Sequence, residues 1–222
     1  MIKVCQCWDD GVLNDVKVAD LCRKYNAKAT FNLNPAVHCK DKRIFNTWKY
    51  RPDYSPGRLA WNELKSVFDG FEVASHGMGH LDAAEVDAKV FVADAVAARN
   101  VLEDYFQKEC RGFAWPYGRY TLECCQLMHD AGFAYGRTVE NVESVLPCQD
   151  FLRLPCNCHF QNPDFWSIFE KARSSGVFYF WGHSYEMMDD PRLWAEYEDK
   201  LRRLNDDPEV EWINVIDLVA LD

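Results

Sequence analysis

Short apolar runs alternate along the chain with longer amphipathic stretches, a pattern that predicts repeated β–α units and a parallel sheet. Strands are predicted over 3–8, 29–33, 72–75, 112–115, 133–135, 151–154, 177–181 and 211–214, where apolar, β-branched and aromatic residues run together. Helical spacing of apolar positions predicts helices over 14–25, 60–68, 83–106, 121–131, 163–174 and 191–205, the first with Asn14 as a candidate cap. Residues 35–59 carry three prolines and several aromatics without either period, and read as a long loop over the mouth of a barrel.

At 222 residues, with no internal repeat, linker or low-complexity stretch, the chain fits one domain over 1–222 with a sizeable core. The 25 basic against 35 acidic side chains give a net charge of −10, and no run of Lys or Arg interrupts it. That balance argues against a nucleic-acid partner and against an anionic membrane surface. Met1-Ile2-Lys3-Val4-Cys5 leads straight into a strand, with no basic segment, apolar stretch and cleavage site of a secretory signal, and no run nears the ~20 apolar residues that span a bilayer. A cytoplasmic protein is expected. Ten cysteines scattered through predicted strands and helices are then mostly buried thiols rather than disulfide staples.

Two polar clusters sit directly behind strand-like runs: Trp8-Asp9-Asp10-Gly11 and Ser75-His76-Gly77-Met78-Gly79-His80. Two histidines four apart can face one ion if the segment after Ser75 turns like a helix, and a carboxylate from another strand end completes three ligands with a position left for water. A structural site would more often be closed by four Cys or His ligands, and the chain lacks two matched Cys pairs. Taken alone, Asp-Asp-Gly also suits a plain turn, and His76 and His80 suit ordinary loop positions. Placement speaks for the site, because Asp9 and Asp10 follow the first predicted strand, His76 and His80 the third, Pro116 and Tyr117 the fourth, and His183 the seventh. In a parallel barrel these carboxyl ends share the face that carries active sites.

The same residues resemble the polysaccharide deacetylases, the NodB-homology domain of carbohydrate esterase family 4. The family's Phe-Asp-Asp-Gly is Trp8-Asp9-Asp10-Gly11 here, and its His-Ser/Thr-x-x-His is His76-Gly77-Met78-Gly79-His80. Its Arg-x-Pro-Tyr is matched in part by Phe113-Ala114-Trp115-Pro116-Tyr117-Gly118, its late Leu-x-His by Trp181-Gly182-His183, and Ala29-Thr30-Phe31 is similar to its second strand. The resemblance implies a distorted (β/α) barrel of about seven parallel strands, with Asp10, His76 and His80 as metal ligands, most often for zinc, and Asp9 as general base. It further implies His183 as general acid and a backbone N–H of Tyr117 as oxyanion donor. The same ligands suit cobalt, nickel or manganese.

Departures from the family pattern are equally specific. Ala114 stands where the family keeps the arginine that orients its catalytic aspartate, which leaves Arg137, just past the fifth predicted strand, and Arg153, inside the sixth, as replacements. No counterpart of the family's Asp-x-x-Asp-Trp is found, so the partner of His183 is not identified by sequence. Cys156-Asn157-Cys158-His159 offers soft ligands but no second pair and reads as structural, with His159 placed to reach the pocket. Trp115 and Trp181, beside motif residues, are candidate platforms for a sugar ring, with Trp48 and Trp166 behind them.

The expected activity is metal-dependent hydrolysis of an N- or O-acetyl group on a carbohydrate. A hydrolase of a small amide, such as a cyclic ureide or formamido sugar, and a catalytically dead carbohydrate-binding barrel are the alternatives. The intact Asp9, Asp10, His76, His80 and His183 set argues against the last.

Overall fold

The computed structural model describes residues 1–221. Strand β1 (Ile2–Asp9) is followed by α1 (Asp15–Lys24), β2 (Thr30–Leu33), a short α2 (Leu64–Val67), β3 (Glu72–Ser75), α3 (Ala88–Phe106), β4 (Gly112–Ala114) and α4 (Leu122–Asp130). The second half runs β5 (Tyr135–Asn141), β6 (Leu154–Cys156), β7 (Cys158–His159), α5 (Phe165–Ala172), β8 (Val177–Gly182), α6 (Pro191–Asp206) and β9 (Val210–Trp212). Every pairing between these strands is parallel, in the order β6-β5-β4-β3-β2-β1-β8-β7. Strand β1 is buried along nearly its whole length, as a parallel strand covered on both faces must be. Beside its first half lies β9, paired at Ile2 to Val4, and beside its second half β2, paired at Cys7 to Asp9.

Closure rests on residues 154–159. Their first part, β6, pairs with β5, and their last part, β7, pairs with β8 at Cys158 to Phe180 and His159 to Trp181. Between them the Asn157 side chain donates to the Val142 and Glu143 carbonyls at 3.0 and 3.1 Å and accepts the Tyr179 amide at 2.8 Å. One extended segment thus serves as a single stave, and the nearly closed barrel matches the expected distorted barrel of about seven staves.

Helices cover the outside. Phe165, Phe169 and Ala172 of α5, and Trp194, Tyr197, Leu201 and Leu204 of α6, face inward at helical spacing. Trp8, between two barrel-facing positions, points the other way into this layer, 4.9 Å from the Phe160 ring and 5.0 Å from Tyr197. Its indole N–H and the Tyr197 hydroxyl both donate to the buried Gln6 side chain, whose amide donates to the Lys28 carbonyl, so these polar groups are satisfied inside the apolar layer.

Several predicted boundaries are corrected. The fifth strand begins at Tyr135 and continues to Asn141, so Arg137 lies within it rather than past it. Residues 151–153 form a helical turn capped by Asp150, which accepts the Leu152 amide, and the sixth strand starts only at Leu154. Helix α3 begins at Ala88 rather than 83, because the Asp87 side chain accepts the Lys89 and Val90 amides. Asn14 stands at the α1 cap without capping; its amide donates to the Met188 carbonyl. Cys156 and Cys158 are buried free thiols in β6 and β7. No helix among the described residues is long and apolar enough to cross a membrane.

Candidate active site

Asp9 ends β1 inside the barrel and is only 2% exposed. Its Oδ1 accepts the side-chain amide of Asn32, its register partner on β2, at 2.7 Å, and its Oδ2 accepts from Arg137 Nη2. Arg137 is the register partner of Ala114, so the cation missing from β4 arrives from the neighbouring strand at the same level. The guanidinium lies 4.9 Å from the Trp181 ring centroid. Burial works to raise the Asp9 carboxyl, but Arg137 and the nearby His76 and His183 hold it well below the usual carboxylate range. Arg153 is elsewhere, half-exposed and paired with Asp150 at 2.8 Å.

The His76 to His80 segment does not turn as a helix. It bends through left-handed backbone at Gly77 (φ 75°) and His80 (φ 64°). The Asn34 amide donates to the His76 carbonyl and, at 3.1 Å, to that of Gly77, while Asp94 of α3 accepts the Met78 amide at 2.8 Å. The two imidazoles still converge, with ring centroids 4.7 Å apart. His76 Nδ1 lies 2.7 Å from the Ala114 carbonyl, which can only accept, so Nδ1 carries the proton and Nε2 presents a lone pair. Burial above all pulls the His76 pKa down to about 4, keeping the ring neutral as ligation requires. One ligand atom each from Asp10, His76 and His80 lie within 4.8 Å of one another, a donor set that fits a divalent ion.

Opposite this trio, β8 delivers His183, whose Nε2 is 3.7 Å from Asp9 Oδ2. Three residues on, in the turn Ser184–Met187, Glu186 folds back so that Oε1 is 3.3 Å from His183 Nδ1, an ion-pair contact short of hydrogen-bond alignment. Glu186 Oε2 accepts the His183 amide at 3.1 Å and lies 2.7 Å from His159 Nε2. Because His159 Nδ1 takes the Gln161 amide at 3.2 Å, Nε2 is the protonated nitrogen that donates to Glu186. Burial would lower the His183 pKa, but Glu186 and Asp9 more than offset it and carry it up to about 9.

A cavity of about 810 Å³ joins these groups, within the size range of small-ligand pockets. Asp9, Asp10, His76, His80, Tyr117, Arg137 and His183 all line it. Tyr117 takes a left-handed φ of 59° in the turn after β4, and its exposed ring meets the His80 ring edge-on at 4.5 Å. Two candidate platforms are placed differently from expectation. Trp115 borders the cavity but is 1% exposed, with its ring stacked on Phe91 and its N–H on the Leu152 carbonyl, so it offers no free face. His159 does not line the cavity and stands behind His183, joined through Glu186. Trp181 lines it and backs Arg137, while Trp166 lies on a separate cleft.

Sequence reading missed Asn32, Glu186 and Arg58. A signal existed for the first, a polar residue amid the apolar strand opposite Asp9. Glu186 stands three residues after His183, a spacing that matters only once the turn is known.

The sequence matches a family model described as polysaccharide deacetylase over residues 2–136. No curated protein sequence matches it. Among solved structures, a family 4 acetyl xylan esterase from Clostridium thermocellum in complex with a cobalt ion aligns with a TM-score of 0.59 at 14% identity, covering 99% of this chain and 91% of that one. The Streptococcus pyogenes deacetylase PplD in complex with acetate aligns at 0.55 and 18% identity over 67% of this chain, which spans only 61% of that protein. A mutant of BA3943, a family 4 pseudoenzyme with restored enzymatic activity, aligns at 0.60 and 12% identity over 99% of this chain and 68% of that one. At these identities the structural likeness establishes the barrel. With the family model spanning more than half of the sequence and the parallel barrel beneath it, the chain belongs to the polysaccharide deacetylase family.

Proposed function

We propose that the protein is a metal-dependent hydrolase that removes an N- or O-acetyl group from a carbohydrate. The observation that carries this reading is the meeting, in one cavity, of a three-ligand donor set with an Arg-held carboxylate and a carboxylate-backed imidazole. Asp10, His76 and His80 would hold the ion, zinc being the first choice for two imidazoles and a carboxylate. When bound, it supplies Lewis acidity, lowering the pKa of a water and polarising the acyl carbonyl.

The chain's own groups divide the remaining work. Asp9, ionised and fixed between Asn32 and Arg137, takes the proton of the attacking water. Tyr117, turned by its left-handed backbone toward His80, offers its N–H to the oxygen on which charge develops. His183 carries its proton at neutral pH and gives it from Nε2 to the departing amine or alcohol, freeing acetate.

The test is acetate release from acetylated xylan and chitooligosaccharides by chelator-stripped protein resupplied with zinc, cobalt, nickel or manganese. Activity should return with metal, and replacing His76 and His80 together by Ala should abolish both activity and bound ion. Turnover confined to small amides would move the substrate to that class. Bound metal with no turnover of either class would leave a binding barrel.

A further inference from the structure

Among the described residues, Arg58 is the one cavity-lining cation not absorbed by the chemistry above. It lies on the long loop after β2, yet its backbone is pinned: it exchanges hydrogen bonds with Ile44 at 2.7 and 3.1 Å and bridges to Val12, and the adjoining Gly57 carbonyl accepts the Leu13 amide at 3.0 Å. The side chain is held as firmly. The guanidinium stacks 4.5 Å from the Trp48 ring centroid, and Nη1 donates to the carbonyl of Asp10. That is the guanidinium's sole hydrogen bond to the described residues, and none of its nitrogens is sealed away without a partner, so a side chain that lines the cavity keeps Nε and Nη2 as unused donors.

Charge pairing in the cavity leaves Arg58 with a partner that is also a candidate ion ligand. Asp9 answers Arg137, and Glu186 answers His183. Asp10 Oδ1, 3.6 Å from Arg58 Nη1, is the counterion of Arg58 but is also a candidate ligand. With a dication on Asp10, one carboxylate faces both the ion and a nearly buried guanidinium. The other acid acting on Arg58, Asp15, is buried and tied to the Val12 amide and the Ser184 hydroxyl, and burial pushes its pKa up to about 7, so it offsets the positive charge on this side of the pocket only in part. A planar fork with free donors, rigidly backed by an indole, matches a carboxylate.

We propose that Arg58, on its Trp48 platform, is the anion-binding element of the substrate pocket, and that the substrate is an acylated sugar bearing a carboxylate. The proposal rests on the carbohydrate reading above. Its test is made independent of turnover by using sugars with no acyl group, D-glucuronate and its neutral amide D-glucuronamide, titrated calorimetrically into the zinc-loaded protein. Wild type should bind the acid at least ~10-fold more tightly than the amide, the scale of one charge-assisted pair, and Arg58→Gln with zinc retained should bring the two within ~3-fold. No preference in wild type, or a preference that survives Arg58→Gln, overturns the assignment; the latter would put the carboxylate on the ion. If Arg58→Gln loses zinc through its tie to Asp10, Arg58→Lys, which keeps the charge but not the fork, is read instead. A reduced preference supports the proposal and an unchanged one refutes it. Failure of acetate release with the acid preference intact would remove the deacetylase reading alone.

Discussion

Consecutive side chains on an extended strand point to opposite faces. Asp9 and Asp10 reach one cavity because Asp10 leaves β1 with a φ of 86°, rare for a residue other than glycine. The two are then separable by experiment. Asp9→Asn should keep its ion and lose at least ~100-fold in turnover, the scale of a general base, whereas Arg137→Ala should lose ~10–100-fold, the scale of an orienting partner. Elemental analysis beside kinetics decides it; loss of metal from Asp9→Asn would exchange the roles of the carboxylates. Glu186 is open to a sharper measurement. Its negative charge favours the imidazolium of His183, so Glu186→Gln should lower the His183 pKa from about 9 and move the alkaline limb of the kcat profile to lower pH. A lower kcat with an unmoved limb would mean that Glu186 acts only through packing. At this scale, Arg137 was legible because Ala114 left a named gap and the next strand offered a cation. Arg58 was not, since its partners lie across a loop without periodicity.

Elements were legible where one period dominates. Strands β1, β2, β3 and β8 follow their apolar runs nearly to the residue, because both faces are covered. Strand β5 was cut short because its apolar run ends at Tyr135, while Arg137 and Thr138 are buried as polar groups and its last three residues are exposed. One tie between elements is sensitive to pH. Asp15, at the start of α1, is buried and accepts the Val12 amide at 2.9 Å and the Ser184 hydroxyl of the turn after β8 at 2.5 Å. Burial pushes its pKa up to about 7. With the folded value above the unfolded ~3.9, the stability owed to the neutral carboxyl is complete below that value and is lost as pH rises through about 7. Asp15→Asn, neutral throughout, should therefore gain on wild type between pH 4.5 and pH 8 by on the order of 1–4 kcal/mol. Chemical denaturation at both pH values measures this, and a constant difference would show the carboxylate to be tolerated inside.

At the level of the whole molecule, the alternation of β and α elements foretold a parallel sheet, but not how it closes. The candidate ion ligands hang from β1 and β3, while His183 hangs from β8, next to the stave made of residues 154–159. That stave has only two residues, Leu154 and Cys156, paired with β5 on one end and two, Cys158 and His159, paired with β8 on the other, with Asn157 as the clasp. Short ladders open at lower free energy than long ones. His159, which steadies Glu186 and through it His183, sits at the end of this stave. Loss of function under mild stress should therefore follow an order: proton delivery fails first, and the ion stays in place on the intact wall. In rising urea, activity should vanish before bound metal is released, with amides near Asn157 exchanging ahead of those in β1, and Asn157→Ala should widen the gap. Such a protein would pass through a state that still carries its ion and its ligand wall yet turns nothing over, a reversible off position arising from where the barrel was joined.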